Sequence, residues 1–477
     1  MRKIYRQWLC MAVLLCQITA QAAENGAVVR GSVKDVQGNP IAGVVVTDGK
    51  NMTATDNRGM YLLDTDPVRQ PMVYISTPAD YVLPEKNGIA DGFYRYQDAG
   101  KTENQCDFIL QKREKKTDEF VFIPISDPQV KNEKQLERFR SETIPDLVYT
   151  VDSLNVPETI GMQLGDLVWD AMNLYTPYRT TISNLGLTMF QVMGNHDFNL
   201  QYADMERTAE PAKGYGEKNY YEMFGPTDYS FNVGKVHVIA MKDIDYEGGK
   251  KYTERFTEEQ LEWLKKDLSY VPEGTTVFLN VHAPVANTTV EGGDNVRNAN
   301  ALFRILRPYK AHIFSGHTHF YENTLPAAGI YEHNIGAACG AWWAGDVNRC
   351  GAPNGYLVVT VKGDDVKWRY KVTGRPADYQ FRLYKPGEFE TQKQYVVANI
   401  WDWDIAYTVN WYEDGVLKGA MQQFDDEDQD YLNMEKGERT GYHTRHLFRA
   451  CPSSQAKKIK VEVKNRFGEI FTQEVEL

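Results

Sequence analysis

The chain has 477 residues, of which 42% are hydrophobic and 25% are charged, and its formal net charge is −12. The length fits roughly two to four domains of about 100–200 residues each. The composition excludes a largely disordered chain. The acidic balance argues against nucleic acid or an anionic membrane surface as the main partner, because proteins that bind those surfaces cluster Lys and Arg. A small phosphorylated substrate remains compatible with it.

The N-terminus has the pattern of a secretory signal. Three basic residues precede an apolar stretch over residues 8–18, and Ala20-Gln21-Ala22 follows. The stretch is shorter than the roughly 20 residues that span a bilayer, so the pattern predicts a cleaved signal peptide and no membrane span. We therefore expect residues 1–22 to be removed and the protein to reach the periplasm or cell envelope. Lipid attachment at Cys16 is the less favoured alternative.

Residues 23–112 consist of short strands separated by turn residues such as Gly38-Asn39-Pro40, which predicts an N-terminal β-sandwich. A charged run over residues 111–118 without apolar periodicity predicts a linker to the next domain. The sandwich resembles the carboxypeptidase-regulatory-like domains of exported bacterial proteins in residues 31–35, 38–41 and 55–61. We expect this domain to carry no chemistry.

Residues 113–378 alternate between apolar strands and longer segments, which predicts a layered α/β domain. Helices are predicted over residues 131–154 and 257–269, and the second opens with Thr257 and Gln260 at capping-box spacing. The predicted strands cover residues 120–125, 159–164, 187–193, 235–241, 276–281 and 311–315.

Residues 379–477 return to alternating strands, with a turn at Glu413-Asp414-Gly415, and predict a C-terminal β-sandwich. The acidic stretch Asp425-Asp426-Glu427-Asp428 is interpreted as a solvated loop, with a calcium site as the alternative. Beyond the signal, export permits disulfides, but the sequence leaves their pairing open and isolated buried thiols are an equal alternative. The cysteines concerned are Cys106, Cys339, Cys350 and Cys451.

Five short polar motifs follow predicted strands of the central domain. Because the loops after parallel strands converge at one edge of a sheet, we expect the motifs to meet in a crevice. Each motif contains at least one side chain that can bind a metal ion. They are Asp127-Pro128-Gln129, Gly165-Asp166, Gly194-Asn195-His196-Asp197, His282-Ala283-Pro284 and Gly316-His317-Thr318-His319.

These residue types suit the hydrolysis of a phosphate ester. A phosphate ester repels an attacking hydroxide, and two cations about 3.5–4 Å apart neutralise that repulsion and lower the pKa of a bound water. A carboxylate can bridge both ions, while imidazole and carboxamide groups complete each shell without adding negative charge. Each motif alone is common in turns or cores, but together they indicate a two-metal centre.

In this order and at these strand ends, the motifs resemble those of the calcineurin-like metallophosphoesterase superfamily, over residues 119–373. The resemblance implies an α/β fold, a four-layer β-sandwich flanked by helices, with Ig-like all-β domains at both ends as in exported bacterial three-domain members. It also implies a metal-dependent phosphatase or phosphodiesterase. Such an enzyme hydrolyses a phosphate mono- or diester through attack of a metal-bridging hydroxide.

The resemblance also implies a role for each motif residue. His196 would contact the phosphate and protonate the leaving oxygen, with Asp197 beside it either as an orienting carboxylate or as a turn cap. Asp166 would bridge the two ions. The first ion would be bound by Asp127, Gln129, Asp166 and His319, and the second by Asp166, Asn195, His282 and His317.

Gln129 departs from the commonest first motif of the superfamily, Asp-x-His. A neutral carboxamide oxygen binds borderline metals less strongly than imidazole, so the sequence favours two Mn²⁺ or Mg²⁺ ions, with Fe or Zn as alternatives. Gln129 is also the residue that favours the rival interpretation, a catalytically weakened or inactive phosphoesterase-fold binding module. Retention of the other ligands and of His196 argues against that rival.

A Gly-rich loop with two tryptophans follows the last metal motif, at residues 336–346, and resembles the corresponding loop of the exported branch. Flat aromatic rings cover the faces of bases, sugars or inositol well, so Trp342 and Trp343 are candidate substrate-binding residues. Packing between domains is the alternative for at least one of them.

Overall fold

The computed structural model describes residues 26–115, 118–199, 216–248, 251–286 and 295–477. The predicted signal peptide, residues 1–22, lies outside these ranges. In the part of the chain that is described, no helix combines the length and the apolar character needed to cross a membrane.

Eight of the ten strands between residues 26 and 115 form a sandwich of two small sheets. The strands are β1 (Ala27–Asp35), β2 (Val45–Thr47), β3 (Met52–Ala54), β4 (Met60–Thr65), β5 (Met72–Ser76), β6 (Glu85–Lys86), β7 (Ile89–Ala90), β8 (Tyr94–Tyr96), β9 (Glu103–Gln105) and β10 (Phe108–Leu110). One sheet has the order β10-β1-β4, with β9 also paired to β1, and the other has the order β3-β2-β5-β8. Alternate residues of β4 are buried, as expected for a strand with one face on a core.

The central domain combines strands and helices in alternation. Its strands are β11 (Glu119–Ile125), β12 (Thr159–Leu164), β13 (Thr188–Val192), β14 (Tyr229–Val233), β15 (Val236–Ala240), β16 (Ile244–Gly248), β17 (Lys251–Glu254), β18 (Thr276–Asn280), β19 (Lys310–Ser315), β20 (Glu322–Ala327), β21 (Ile330–Asn334), β22 (Gly355–Lys362) and β23 (Asp365–Val372). Its helices are α1 (Glu133–Arg138), α2 (Ile144–Leu154), α3 (Tyr175–Thr181), α4 (Lys218–Phe224), α5 (Glu258–Leu268) and α6 (Ala299–Leu306).

Two mixed sheets of this domain pack face to face. The first has the order β23-β22-β11-β12-β13-β7-β6 and the second the order β14-β15-β18-β19-β21-β20. Strands β11 to β13 are mutually parallel, and so are β15, β18, β19 and β21. Between the sheets, the buried rings of Phe122, Phe278 and Phe314 contact one another with centroids 5.2–5.3 Å apart. This aromatic contact joins the two sheets into one sandwich.

The N-terminal domain completes the first central sheet. Its hairpin of β6 and β7 extends that sheet, because Ile89 pairs with Met189 of β13, and a further bridge joins Thr77 to Phe231. Without the hairpin, β13 would present an open sheet edge. The buried residues of the two domains form one continuous hydrophobic cluster. The predicted boundary near residue 112 therefore does not separate two independent cores.

The C-terminal domain is a second sandwich with its own core. Its elements are β24 (Arg382–Tyr384), β25 (Val396–Asn399), β26 (Thr408–Glu413), β27 (Val416–Ala420), β28 (Gln422–Asp426), α7 (Gln429–Met434), β29 (Thr444–Ala450), β30 (Lys458–Lys464) and β31 (Ile470–Glu476). The sheets have the orders β24-β25-β29-β28 and β27-β26-β30-β31. Val396, Ile459 and Phe471 are among the residues that fill the space between them.

The two predicted helices are confirmed with small differences. Thr257 precedes α5, its side chain accepts from the Gln260 N–H, and the Gln260 side chain accepts from the Thr257 N–H, which is the predicted capping box. The segment predicted as one helix over residues 131–154 contains α1, a π-helical turn at Phe139–Thr143 and α2. Asn132 caps the first of these.

The interpretation of the acidic stretch over residues 425–428 as a solvated loop is wrong for three of its four residues, since Asp425 is exposed and the others are buried. Glu427 and Asp428 are fully buried and Asp426 is 7% exposed. Glu427 accepts hydrogen bonds from the backbone N–H groups of Thr440 and Gly441, and Asp428 caps α7. These carboxylates hold the chain in place, so the calcium alternative is not supported.

The four cysteines of the described residues are free thiols. Cys106, Cys339 and Cys350 are buried and Cys451 is exposed. Cys350 lies against the backbone N–H of Tyr321, and burial raises the pKa of its thiol to about 12. The isolated-thiol alternative therefore applies to these positions.

Replacing Phe122 with Ala should lower the free energy of unfolding by about 3–5 kcal/mol, because the lost ring leaves a cavity between the two sheets. Urea unfolding followed by near-ultraviolet circular dichroism measures the change. Tyr149, which is 71% exposed, is the control, and Tyr149→Ala should change stability by less than about 0.5 kcal/mol. Equal losses for the two variants would contradict the assigned core.

Candidate functional site

The polar motifs lie in loops that follow parallel strands of both sheets. Asp127 follows β11, Asp166 follows β12, and His282 follows β18. Several motif residues adopt left-handed backbone angles, which cost non-glycine residues about 1–3 kcal/mol and concentrate at functional sites. They are Asp127, Gln129, Asp166, His317 and His319, with φ between 43° and 70°. These tight turns direct the motif side chains toward one another.

Two glycines allow the loops to approach closely. A Cβ at Gly194 would collide with the backbone nitrogen and a carboxylate oxygen of Asp166. A Cβ at Gly316 would collide with Ser126 and with Asp127 Oδ2. No side chain fits at either position, which explains physically why glycine stands in both motifs.

The residues expected to bind the second ion converge on one point. Asp166, His282 and His317 each offer a ligand atom, and these atoms lie within 4.8 Å of one another. His282 Nε2 is 2.9 Å from Asn195 Oδ1 and 3.1 Å from His317 Nδ1. His282 Nδ1 donates to the Leu164 carbonyl oxygen at 2.7 Å, which leaves the lone pair of Nε2 facing the other ligands.

The residues expected to bind the first ion lie beside Asp166. Gln129 Nε2 donates to Asp166 Oδ2 at 2.8 Å, and His319 Nε2 is 3.7 Å from Asp127 Oδ1. His319 Nδ1 donates to the Gly340 carbonyl oxygen at 2.6 Å, so Nε2 is again the nitrogen that faces the site. Asp127 Oδ2 accepts from the His317 N–H at 2.9 Å, whereas its buried Oδ1 has no hydrogen-bond partner among the described residues.

Two buried carboxylates dominate the electrostatics of this space. Burial lowers the pKa of His282, but the charges of Asp166 and Asp127 outweigh it and raise that pKa to about 10. For His317, burial and then the charge of His282 lower the pKa to about 3. The space therefore favours a positive charge, whether a proton on His282 or a metal ion.

The arrangement fits divalent metal ions. His282 Nε2 is 2.9 Å from Asn195 Oδ1; this nitrogen carries the added proton when His282 is charged, and a cation bound there would take the place of that proton. The buried Asp127 Oδ1, without a protein donor in the described ranges, offers a further ligand. Carboxylate and carboxamide oxygens with imidazole nitrogens are a donor set used by Mn²⁺, Mg²⁺, Fe and Zn²⁺.

His196 lies at the rim of the same site, with its side chain 24% exposed. Its backbone N–H donates to Asp166 Oδ1 at 2.8 Å, and its Nδ1 is 2.9 Å from Asp170 Oδ1. Burial lowers the pKa of His196, but Asp166 and Asp170 outweigh it, so the pKa is raised. Asp170 therefore orients the imidazole and leaves Nε2 for a substrate.

Asp197 does not contact the imidazole of His196. Its buried carboxylate accepts from the backbone N–H groups of Leu167 at 3.0 Å and Gly194 at 2.9 Å. Burial, together with the charge of Asp166, raises its pKa to about 7. Of the two interpretations left open by the sequence, this geometry supports the cap, because Asp197 ties the loop after β12 to the loop after β13.

Three family models match successive parts of the chain. The model of the calcineurin-like phosphoesterase matches residues 121–321. The models of the N-terminal and C-terminal domains of calcineurin-like phosphoesterases match residues 27–113 and 332–471. The chain belongs to the calcineurin-like phosphoesterase family. It is a metal-dependent phosphoric ester hydrolase, and the resemblance and fold class inferred from the motifs are confirmed.

The solved structures that match this phosphoesterase share little sequence with it. A dimetal phosphatase from Danio rerio is 15% identical, with 54% of this chain and 96% of the other covered and a TM-score of 0.38. GAP50, the anchor in the inner membrane complex of Plasmodium, is 12% identical, with 54% of this chain and 86% of the other covered and a TM-score of 0.36. The phosphopantetheinyl hydrolase from Mycobacterium tuberculosis is 12% identical, with 46% of this chain and 90% of the other covered and a TM-score of 0.32. A search of curated proteins finds no match.

The two tryptophans of the Gly-rich loop have different environments. Trp343 is 7% exposed and its indole N–H donates to the Pro128 carbonyl oxygen at 3.0 Å, so it packs against the loop that carries Asp127 and Gln129. Trp342 is partly exposed, and its ring centroid is 4.8 Å from that of His319 and 6.4 Å from that of Trp169. The geometry supports the packing alternative for Trp343 and places Trp342 at the mouth of the site.

Several residues that the fold brings to the site belong to none of the five motifs. Asp243 is buried and accepts from the backbone N–H groups of His282 and Ala283. Trp169 lies against the His196 ring, with centroids 4.9 Å apart. Asp170 had a signal in the sequence, a carboxylate four positions after Asp166, but its function depends on a contact that only the folded loop creates.

Replacing Asp197 should lower stability, whereas replacing Asp170 should change the pH dependence of the activity. Asp197→Ala should lower the free energy of unfolding by about 2 kcal/mol or more, because two buried backbone N–H groups lose their acceptor. Asp170→Asn should change stability by less than about 0.5 kcal/mol, because Asn also tolerates the left-handed backbone of this position, where φ is 54°. It should instead lower the pKa of His196, so the alkaline limb of the pH–rate profile moves to lower pH.

Urea unfolding and pH–rate profiles of both variants measure these effects. An unchanged profile for Asp170→Asn would exclude the assigned orientation of His196. A fully stable Asp197→Ala protein would exclude the cap.

Proposed function

We propose that this phosphoesterase hydrolyses a phosphate mono- or diester with the aid of two divalent metal ions. The observation that carries the proposal is the position of Asp166. One of its carboxylate oxygens is 2.8 Å from Gln129 Nε2 and the other is 3.3 Å from His282 Nε2. Asp166 thus lies between the two expected ligand sets, as a bridging ligand must.

The charge of the ligands suits an anionic substrate. Asp127 and Asp166 are the anionic members, while the carboxamides and imidazoles are neutral. Two divalent ions would therefore leave net positive charge for the substrate phosphate. When bound, the ions would neutralise the phosphoryl oxygens and activate the attacking water. The protein holds the ligand atoms in place. The carbonyl oxygens of Leu164 and Gly340 do this for the imidazoles of His282 and His319.

His196 is the proposed proton donor to the leaving oxygen. The contact of Nδ1 with Asp170 makes Nε2 the nitrogen from which a proton can reach the substrate. Burial opposes protonation of His196, but the charges of Asp166 and Asp170 favour it and raise its pKa. The protonated form is therefore more populated near neutral pH than in an isolated imidazole.

We propose Mn²⁺ or Mg²⁺ as the resident ions, with Fe or Zn²⁺ as less favoured alternatives. Gln129 replaces an imidazole with a neutral oxygen donor, which weakens binding of borderline metals more than of hard ones. Its Nε2 faces Asp166 Oδ2. Rotation of the carboxamide by half a turn exchanges its nitrogen and oxygen and would present the oxygen to an ion.

A small phosphorylated compound outside the cytoplasm is the proposed substrate. The net charge of −12 opposes a long polyanion, whereas two metal ions can attract a single phosphate group. The basic, apolar and Ala-x-Ala pattern of residues 1–22 supports export to the periplasm or cell envelope.

The enzyme comprising residues 23–477, stripped of metal and resupplied with Mn²⁺, Mg²⁺, Zn²⁺ or Fe²⁺, should hydrolyse generic phosphate monoesters or diesters. In His196→Ala, kcat should fall by about 10²–10⁴-fold for an alkyl leaving group, because the departing oxygen lacks its proton donor. The loss should be much smaller for a p-nitrophenyl leaving group, which needs no proton. Steady-state kinetics with paired substrates measure both effects.

His443 provides the matched control. It is an exposed histidine that contacts Asp425 in the C-terminal domain, so His443→Ala should retain turnover. His282→Ala should lose bound metal as well as activity, as elemental analysis can measure. No turnover with any metal, in a protein that is folded, would instead favour the binding-module alternative.

The proposed export has its own test. The full chain expressed in a bacterial host should be recovered from the envelope fraction with Ala23 as its first residue. Replacing Ala20 and Ala22 with Leu should block this cleavage, because the small-residue pattern is lost. Intact Met1 on envelope-derived protein would refute cleavage, and attachment through Cys16 would be identified by mass spectrometry as the alternative.

A further inference from the structure

Arg349 lies between two aromatic rings at the mouth of the site. Its Cζ is 4.5 Å from the ring centroid of Trp342 and 4.4 Å from that of Tyr442. Trp342 belongs to the Gly-rich loop and Tyr442 to the C-terminal domain. Two aromatic contacts hold a planar guanidinium in one orientation, which reduces the entropy lost when it binds a ligand.

The guanidinium retains charge and donors for a ligand. Its Nη1 donates to the Thr318 carbonyl oxygen at 3.3 Å and Nε is buried, so Nη2 is the donor that remains for a ligand in the described part of the chain. Among the described residues, no carboxylate forms an ion pair with Arg349. Arg349 is partly buried, so its charge is best compensated by an anion that reaches it.

Arg349 lies next to the expected metal ligands but is not one of them. Its backbone N–H donates to the His319 carbonyl oxygen at 3.0 Å. The Trp342 ring contacts both the guanidinium and the His319 ring, at 4.5 and 4.8 Å between centres. The guanidinium therefore lies one aromatic ring away from the expected ligand His319.

The Glu427 carboxylate fixes the chain segment that carries Tyr442. It accepts from the N–H groups of Thr440 and Gly441, the two residues before Tyr442. Tyr442 also contacts Phe320, which directly follows His319, with ring centroids 6.1 Å apart. The C-terminal domain thus positions one of the two rings that hold Arg349.

We propose that Arg349 binds a second phosphate group of the substrate, one that is not hydrolysed. The inference rests on the proposed two-metal function and names its substrate class: phosphate esters that carry a further phosphate on the same molecule. The metal ions neutralise the scissile phosphate, and the fork of the guanidinium matches the geometry of another phosphate. Trp342 and Tyr442 keep that fork at a fixed place beside the site.

Calorimetric titration of the Mn²⁺-loaded protein tests the proposal without turnover. The probes are propane-1,3-bisphosphonate and propylphosphonate, which differ by one phosphonate, and free Mn²⁺ is held constant. The wild-type protein should bind the bisphosphonate about tenfold or more tightly than the monophosphonate, as expected for charged hydrogen bonds. Arg349→Gln should abolish that ratio while leaving the affinity for propylphosphonate within about twofold.

Arg449 offers a matched control, because it also lies between two aromatic rings. Its Cζ is 4.9 Å from the centroid of Tyr395 and 5.2 Å from that of Phe424, within the C-terminal sandwich. Arg449→Gln removes the same charge and the same kind of contact, and it should leave the affinity ratio unchanged. Tyr442→Phe should keep the ratio, whereas Tyr442→Ala should reduce it because the guanidinium loses one supporting ring.

The outcomes separate this inference from the function on which it rests. Absence of a ratio in the wild-type protein, equal weakening of both probes in Arg349→Gln, or the same loss in Arg449→Gln would each overturn the role of Arg349. If Arg349→Gln does not fold, Arg349→Lys must retain part of the ratio. Failure of both phosphonates to bind metal-loaded protein would instead count against the proposed phosphate site itself.

Discussion

Two buried carboxylates that face one small space, those of Asp127 and Asp166, impose the constraint on which the site depends. Burying charge costs several kcal/mol unless an opposite charge compensates it. The surrounding chain prepares for such compensation, because carbonyl oxygens of Leu164 and Gly340 turn the His282 and His319 rings so that their lone pairs face inward. The glycines and the left-handed turns let the loops come close enough to do this.

Loops under such strain need a rigid support, and all three domains supply it. The aromatic contact of Phe122 with the second sheet keeps the strand ends together. The N-terminal hairpin covers the edge of β13, the strand that leads to Asn195 and His196. The C-terminal domain reaches the site through Tyr442, which contacts Arg349 and Phe320. The domains that flank the catalytic sandwich therefore contribute to its shape.

Much of this could be predicted from sequence because local rules and strand ends determine it. Alternation identified the strands, capping chemistry identified α5, and motif order identified the expected ligands. What the sequence left wrong or open involves contacts between distant segments. Burial of Glu427 depends on a loop that folds back over it. The sequence left open whether Asp197 orients His196 or caps a turn, and the fold brings Asp170 to His196. Spacing along the chain does not encode which carboxylate turns toward solvent and which toward the backbone.

The pairing of Ile89 with Met189 also constrains the order in which the molecule can assemble. The strands of the N-terminal sandwich all lie before residue 111, so it can form early as the chain emerges. Its β6–β7 hairpin, however, has no partner until roughly a hundred further residues have folded into β11 to β13. Until then the hairpin exposes unpaired backbone N–H and C=O groups. Strands in that state can pair with strands of another chain.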